Sequence, residues 1–233
     1  MPESPSLALF DLDHTLLDGD SDDLWCRFLV RRGLADAALQ VRNERMGEDY
    51  RAARVSPEAF SAFYAALLAG RTPAFWAPWQ ARFLDEEIRP RLPRAARERV
   101  RQHRAAGDLL VLTTASNRVI AERTAQALGF EHLIATELEI VDGQFTGKVA
   151  GEPNMRDGKV RRLRSWLDAQ GLDADMLSTA WFYSDSINDL PLLSAVGRPV
   201  AVCPDPALAR HAALLGWPVE QLLDASPACD DRS

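Results

Sequence analysis

The chain holds 233 residues with 47% hydrophobic content, enough apolar material for a packed core that needs neither disulfide nor metal staples. Its formal net charge of -7 argues against a general nucleic-acid backbone binder, which needs a basic surface, and favours a small-molecule partner. Cys26, Cys203 and Cys229 are odd in number and far apart, with no Cys-x-x-Cys pair, so neither a disulfide framework nor a cysteine zinc site is expected.

No basic segment ahead of a long apolar run opens the chain, and no apolar stretch approaches the roughly 20 residues that cross a bilayer. A cytoplasmic protein with no membrane partner is expected. Leu7-Ala8-Leu9-Phe10 is apolar at every position, the pattern of a central parallel strand buried on both faces. It runs into Asp11-Leu12-Asp13-His14-Thr15-Leu16-Leu17, which sets two carboxylates at a strand's carboxyl end, where open α/β sheets bind ligands. Asp18-Gly19-Asp20 makes a turn, and Ser21 can cap a helix carrying Leu24, Trp25, Phe28 and Leu29. Residues 35–54 are mixed and mostly polar, with a thin apolar stripe. Ser56-Pro57-Glu58 and Thr72-Pro73 are helix starts, with a capping hydroxyl ahead of a first-turn proline. The helix from Thr72 holds Phe75, Trp76, Trp79, Phe83 and Leu84, with Pro78 bending it and Pro90 ending it. Its tryptophan cluster reads first as core and second as the wall of a lid over the strand ends.

After Pro93 helices and strands alternate, as in a parallel sheet with crossovers. A helix Arg94 to Ala106 precedes a buried strand Leu109 to Thr114, and Ala115-Ser116-Asn117 opens a helix closing at Gly129. Asp142-Gly143 joins two short strands into a hairpin expected as an edge decoration. A helix from Asp157-Gly158-Lys159 to about Gln170 follows, then a strand Thr179 to Tyr183 running into Ser184-Asp185-Ser186-Ile187-Asn188-Asp189. Short elements around Leu190, Pro199, Ala207 and Trp217 complete the pattern.

Burying Asp11 and Asp13 together is unfavourable unless a cation or a shared proton balances them. Taken alone, such a pair also fits a surface turn that caps a helix. The backbone N–H groups after Thr114 sit at a helix start and could hold an anion, although Thr113, Thr114 and Ser116 could equally serve as caps. Lys159 stands at the wrong end of a helix dipole, which marks it as a candidate site residue, with a solvated lysine as the ordinary alternative.

Asp11-Leu12-Asp13-His14-Thr15, Val111-Leu112-Thr113-Thr114, Lys159 and Tyr183-Ser184-Asp185-Ser186-Ile187-Asn188-Asp189, in that order and covering nearly the whole chain, resemble the motifs of the haloacid dehalogenase superfamily. The helical stretch after the first motif resembles the cap of its phosphoserine-phosphatase-like branch. The resemblance implies an α/β fold, a doubly wound parallel sheet with a helical cap domain inserted after the first strand. Residues 1–17 and 91–223 would form the core domain, 18–90 the cap and 224–233 a flexible tail.

In such enzymes the first Asp attacks phosphorus, so the resemblance implies Asp11 as nucleophile and Asp13 as acid-base group. Mg²⁺ would be held by Asp11, the Asp13 backbone carbonyl and Asp185, with Asp189 in or next to the inner shell. Thr114 and Lys159 would bind the transferring phosphoryl oxygens, with Ala115, Ser116, Asn117 and Asn188 around the phosphate. An acid at the position of Asp13 favours a phosphatase or phosphomutase over a dehalogenase or ion pump. The motifs depart from phosphoserine phosphatases at Ser184 and Ser186, where those carry glycines, and at Ala115-Ser116, where they carry Gly-Gly.

Asp20 falls where those phosphatases place an acid for the substrate ammonium group; it also reads as a helix N-terminal acid. Asp20-Ser21-Asp22-Asp23-Leu24-Trp25, Thr114-Ala115-Ser116-Asn117-Arg118 and Tyr183-Ser184-Asp185-Ser186 are similar to bacterial members acting on histidinol phosphate, which makes that substrate the first candidate. Phosphoserine is the second, with its carboxylate taken by Arg42 or Arg45, residues that otherwise read as a solvated helix face. A broad-range phosphatase, a phosphomutase, a receiver-like signalling module and an inactive phosphate-binding module are the alternatives. Oligomeric state leaves no mark in the sequence.

Overall fold

The computed structural model of the protein describes residues 6–52 and 54–223. Six strands form one parallel sheet in the order β3-β2-β1-β6-β7-β8: β1 (Leu7–Phe10), β2 (Leu109–Asn117), β3 (His132–Thr136), β6 (Trp181–Ser184), β7 (Arg198–Val202) and β8 (Val219–Glu220). β1 lies at the centre, with Leu9 opposite Val111 of β2 and Phe182 of β6. Its unbroken apolar run follows from burial on both faces. Ala8 and Phe10 pack into a core shared with Trp25, Phe28 and Trp76, whereas Leu7 and Leu9 pack with Leu163, Leu167 and Leu208. The helices supplying those partners are α1 (Ser21–Arg31), α4 (Pro73–Phe83), α7 (Asp157–Ala169) and, after the short α8 (Leu190–Leu193), α9 (Pro206–Leu215). Helices on both faces of a parallel sheet are the doubly wound α/β arrangement.

Between β1 and β2 the chain runs through α1, α2 (Ala38–Arg51), α3 (Pro57–Ala66) and α4, then a π-helical turn Leu84–Ile88, a 3-10 turn Arg89–Arg91 and α5 (Arg94–Ala106). The predicted starts of α3 and α4 hold: Ser56 Oγ accepts from Ala59 N–H at 3.2 Å and Thr72 Oγ1 from Phe75 N–H at 3.1 Å. At α1 the cap is Asp20 rather than Ser21, with Asp20 Oδ1 accepting from Asp23 N–H at 2.9 Å. A carboxylate satisfies an orphan N–H at least as well as a hydroxyl, which leaves the Ser21 side chain for another contact. α4 continues through Pro78. Trp25 lies 5.8 Å from Trp76 and 4.9 Å from Phe83, centroid to centroid, so the tryptophan cluster is core.

Two predicted boundaries move. β2 extends through Asn117, and α6 (Arg118–Leu128) starts only after it, capped by Asn117. The carbonyls of Thr114 and Ala115 are taken by Asn154 Nδ2 at 2.9 Å and Thr136 Oγ1 at 2.7 Å, and these bonds hold the segment extended. The hairpin β4 (Leu138–Val141) and β5 (Gln144–Val149) turns at Asp142 and Gly143, both at positive φ, as a type I′ turn requires. It is a separate two-stranded sheet, not an edge decoration. Phe145 exchanges backbone hydrogen bonds with Gly70 and Arg71 at 2.8 and 2.9 Å, and so ties the inserted helices to the sheet side. The expected tail 224–233 lies outside the described residues. Among the described residues no helix is long and apolar enough to cross a membrane.

Candidate active site

β1 delivers Asp11 to the sheet's carboxyl edge, where its N–H donates to Tyr183 O at 2.9 Å. The chain then turns sharply: Leu16 and Leu17 N–H both donate to Leu12 O at 3.0 Å, and His14 takes a positive φ. β6 ends beside it in Ser184, Asp185 and the short turn Ile187–Asp189. α7 arrives from the side with Lys159 in its first turn, and the buried Nζ donates to Asp11 Oδ1 at 2.7 Å and to Asp189 Oδ2 at 2.6 Å. The electrostatically misplaced lysine is thus the counter-ion of two buried acids. Burial disfavours its charge, but Asp11 and Asp189 outweigh that and hold its pKa above the usual lysine value.

Asp11, Asp13, Asp185 and Asp189 all line one cavity of about 1370 Å³ with Lys159. Burial pushes the Asp11 carboxyl up from 3.8 to about 6, against the pull of Lys159 and with the added repulsion of Asp189. Asp13 rises to about 7, by burial first and then by the charges of Asp20 and Asp11. Its Oδ1 accepts from Ser21 N–H at 2.7 Å and its Oδ2 from Ser116 Oγ at 3.0 Å. Asp13 is therefore a carboxyl oriented from two sides and poised near neutrality, as acid-base work requires. Thr15 Oγ1 reaches Asp185 Oδ1 at 3.4 Å.

The donor set suits a hard divalent cation. Asp11, Asp185 and Asp189 supply oxygen ligands of the kind Mg²⁺ takes, and their burial leaves negative charge that Lys159 alone does not balance. Among the described residues no three acids, histidines or cysteines are arranged to hold a metal ion as they stand, and the Lys159 ammonium bridges Asp11 and Asp189.

Around the predicted phosphate-binding stretch, Ala115 and Ser116 line the cavity while Thr114 and Asn117 are buried behind it. Thr114 Oγ1 accepts from Ser116 N–H at 3.2 Å, and Asn117 Oδ1 accepts from Ile120 N–H at 3.4 Å. Asn188 lines the cavity. The serines that depart from the glycine pattern have work to do: Ser184 Oγ donates to Asp189 Oδ2 at 2.8 Å, and Ser186 Oγ accepts from Asn188 N–H at 3.2 Å.

On the side of the inserted helices, Asp20, Asp22, Asp23, Glu44 and Glu48 line the cavity. Arg42 and Arg45 do not. Both are exposed, and the Arg45 guanidinium faces Asp49 at 3.9 Å with 83% of its side chain exposed. They sit on the outer face of α2, because the inner face one turn apart is taken by Leu39 and Asn43. Asn43, on that inner face, donates to Asp23 Oδ1 at 2.8 Å and accepts from Tyr64 OH at 2.9 Å. Its i, i+4 spacing from Leu39 was the available signal. Sequence reasoning also missed the junction at Ser116, whose Oγ lies 2.9 Å from Ser21 Oγ and 3.1 Å from Asp22 Oδ2. Asp22 is held well above the ordinary carboxyl range by burial and by Asp20 and Asp13.

The model of the haloacid dehalogenase-like hydrolases matches residues 8–194. The chain is 38% identical over 216 residues to a protein of Neisseria meningitidis serogroup C named histidinol-phosphatase, covering 92% of this chain and 97% of that one. A crystal structure of a Bordetella pertussis protein of unknown function matches with a TM-score of 0.90 and 44% identity, over 94% of this chain and 99% of that one. A substrate-bound phosphoserine phosphatase matches with a TM-score of 0.66 over 89% and 90% of the two chains, and at 19% identity it speaks for the fold alone. A sheet that brings Asp11, Lys159 and Asp189 into contact, joined to a family match over most of the chain, makes this protein a member of the haloacid dehalogenase-like hydrolases.

Proposed function

We propose that the protein is a Mg²⁺-dependent phosphomonoester hydrolase that works through an aspartyl phosphate on Asp11, with histidinol phosphate the first candidate substrate and phosphoserine the second. The observation that carries this reading is the pairing of Asp11 with Lys159 at 2.7 Å beside an Asp13 carboxyl pushed up to about 7. Lys159 pulls the Asp11 carboxyl toward its charged form against burial, while burial and the charges of Asp20 and Asp11 push Asp13 toward its protonated form.

An Asp11 carboxylate oxygen attacks phosphorus, and the bond from phosphorus to the substrate oxygen breaks. Asp13 gives its proton to the departing alkoxide. Asp13, now a base, takes a proton from the water that attacks the same phosphorus, and Asp11 leaves as carboxylate. Lys159 stabilises charge on the transferring oxygens, at the end of the cavity that Ala115 and Ser116 line. Bound Mg²⁺, held by Asp11, Asp185 and the Asp13 carbonyl with Asp189 alongside, would neutralise phosphate charge so that the two anions can approach.

The acidic wall of Asp20, Asp22, Asp23, Glu44 and Glu48 supports a leaving group that bears a cation, and the relative named histidinol-phosphatase makes that amine and imidazole substrate the first choice. Phosphoserine has support from Arg27 and Arg91, which line the same cavity and could take a carboxylate. Phosphate release with Mg²⁺ from histidinol phosphate, phosphoserine and p-nitrophenyl phosphate tests both. A kcat/KM of about 10⁴ M⁻¹s⁻¹ or above for one metabolite identifies the substrate. Uniformly weak release keeps the phosphatase and rejects both metabolites, and no release rejects the hydrolytic reading.

A further inference from the structure

Residues 153–158 lead into α7, and among them Arg156 has φ 49° and ψ −126°. The Met155 carbonyl accepts from Gly158 N–H at 2.8 Å, so Arg156 is the first central residue of a tight turn, a position that with these angles takes glycine. A side chain there carries a backbone cost that persists only where surrounding contacts impose it.

Those contacts exist on both sides. Upstream, Asn154 N–H donates to Thr136 Oγ1 at 3.0 Å, and its Nδ2 reaches Thr113 Oγ1, Thr114 O and Ile134 O at 3.0, 2.9 and 2.9 Å. Downstream, a Cβ on Gly158 would lie 2.4 Å from the Pro153 carbonyl oxygen, which leaves no slack ahead of Lys159. From this anchored turn two side chains reach the inserted helices. Met155 Sδ accepts from Ser61 Oγ of α3 at 3.4 Å. The Arg156 guanidinium carbon lies 5.2 Å from the Tyr50 ring centroid of α2, while its Nε donates to Asn188 Oδ1 at 3.2 Å. Tyr50, Met155, Arg156 and Asn188 all line the cavity.

We infer that Arg156 is a positioning residue that joins Asn188 on the sheet side of the cavity to Tyr50 on the inserted helices, and that the strained turn exists to hold its guanidinium there. Glycine would relax the backbone, so an arginine there needs contacts that offset the strain, and the bridge to Asn188 and Tyr50 supplies them. Because the same turn is pinned beside Thr114 and leads directly into Lys159, the bridge sets the helical wall in register with the phosphate end. The inference rests on the phosphatase reading of the cavity for its kinetic consequence and not for its structural one.

Three variants test it. Arg156→Gly removes both the strain and the bridge: its thermal midpoint should match or exceed wild type, while KM for the best substrate rises more than twofold because the helical wall is no longer held in place against the substrate. Arg156→Ala keeps the strain without the bridge and should melt below Arg156→Gly with the same KM. Arg156→Lys should recover part of the KM. An arginine serving stability alone would lower the Arg156→Gly midpoint and leave KM untouched, and KM within twofold of wild type in both truncations overturns the proposal. Amide hydrogen exchange in α2 around Tyr50 reads the bridge without turnover. Faster exchange in Arg156→Gly supports the bridge even if wild type hydrolyses no phosphomonoester, in which case the phosphatase reading alone fails; unchanged exchange overturns it.

Discussion

Lys159→Met isolates the buried ion pair at the centre of the site. Methionine occupies nearly the same volume, so packing is kept while Asp11 and Asp189 lose the ammonium that sits 2.7 and 2.6 Å from them. Removing one partner from a buried ion pair costs about 3–5 kcal/mol, and at this chain length each kcal/mol moves the thermal midpoint by about 2–4 °C. Without divalent cations near pH 8, the midpoint should fall by roughly 6–20 °C. The sign of the pH dependence follows from Asp11. Burial holds its carboxyl at about 6 despite Lys159, and without the lysine it rises further. Acidification then neutralises the uncompensated charge, and the deficit against wild type should shrink as pH falls below neutrality. Circular-dichroism melts near pH 5 and pH 8 measure it. Asp11→Asn in the same chain should return about 1 kcal/mol or more of the loss, because the two sites are in contact and their effects do not add. A midpoint within about 2 °C of wild type near pH 8, or a deficit that grows on acidification, would refute the ion-pair argument.

Asp11→Asn should lower kcat/KM for any hydrolysed phosphomonoester by about 10³ or more without unfolding the chain; phosphate release near the wild-type rate would exclude the aspartyl phosphate. Asp11 and Asp13 have folded values of about 6 and about 7 against 3.8, so the folded chain binds protons that the unfolded chain has already released. Stability without divalent cations should therefore fall as pH rises through that window. Urea denaturation at stepped pH measures the slope, which added Mg²⁺ should flatten, and rising stability across the window contradicts the burial argument. Asp20→Ala removes the cap on Asp23 N–H, which costs about 1 kcal/mol, and should raise KM for amine-bearing substrates more than for p-nitrophenyl phosphate. Arg45→Ala, at an exposed side chain, should change neither; a KM effect there would restore it to the pocket.

The parts of the fold legible in the sequence are those that local physics decides. Strands buried on both faces are apolar at every position, as in Leu7–Phe10, and Ser-Pro and Thr-Pro pairs announce helix starts because one hydroxyl and one missing N–H answer the needs of a first turn. The acids that follow β1 and β6 were legible for the same reason, since a carboxylate at a strand end is visible whatever it faces. Lys159 stood out because it breaks the dipole rule.

What lay outside the reach of the sequence depends on residues brought together from far apart. Ser116 and Asp13 are separated by 103 positions, and Ser116 and Asp22 by 94; no periodicity encodes that junction. The same limit explains the arginines. Arg42 and Arg45 are candidates because a substrate carboxylate calls for a cation on the inserted helices, yet helix phase turns them outward, while Arg156 enters the cavity from a turn whose glycine-like backbone no local rule predicts for arginine. The extension of β2 to Asn117 and the docking of the hairpin on Gly70 and Arg71 were decided by side-chain and backbone partners on other elements. Sequence alone determined which elements form and which chemical groups stand at their ends. Only the tertiary structure decided which of those groups meet, because contact between distant residues is a property of packing rather than of local conformational preference.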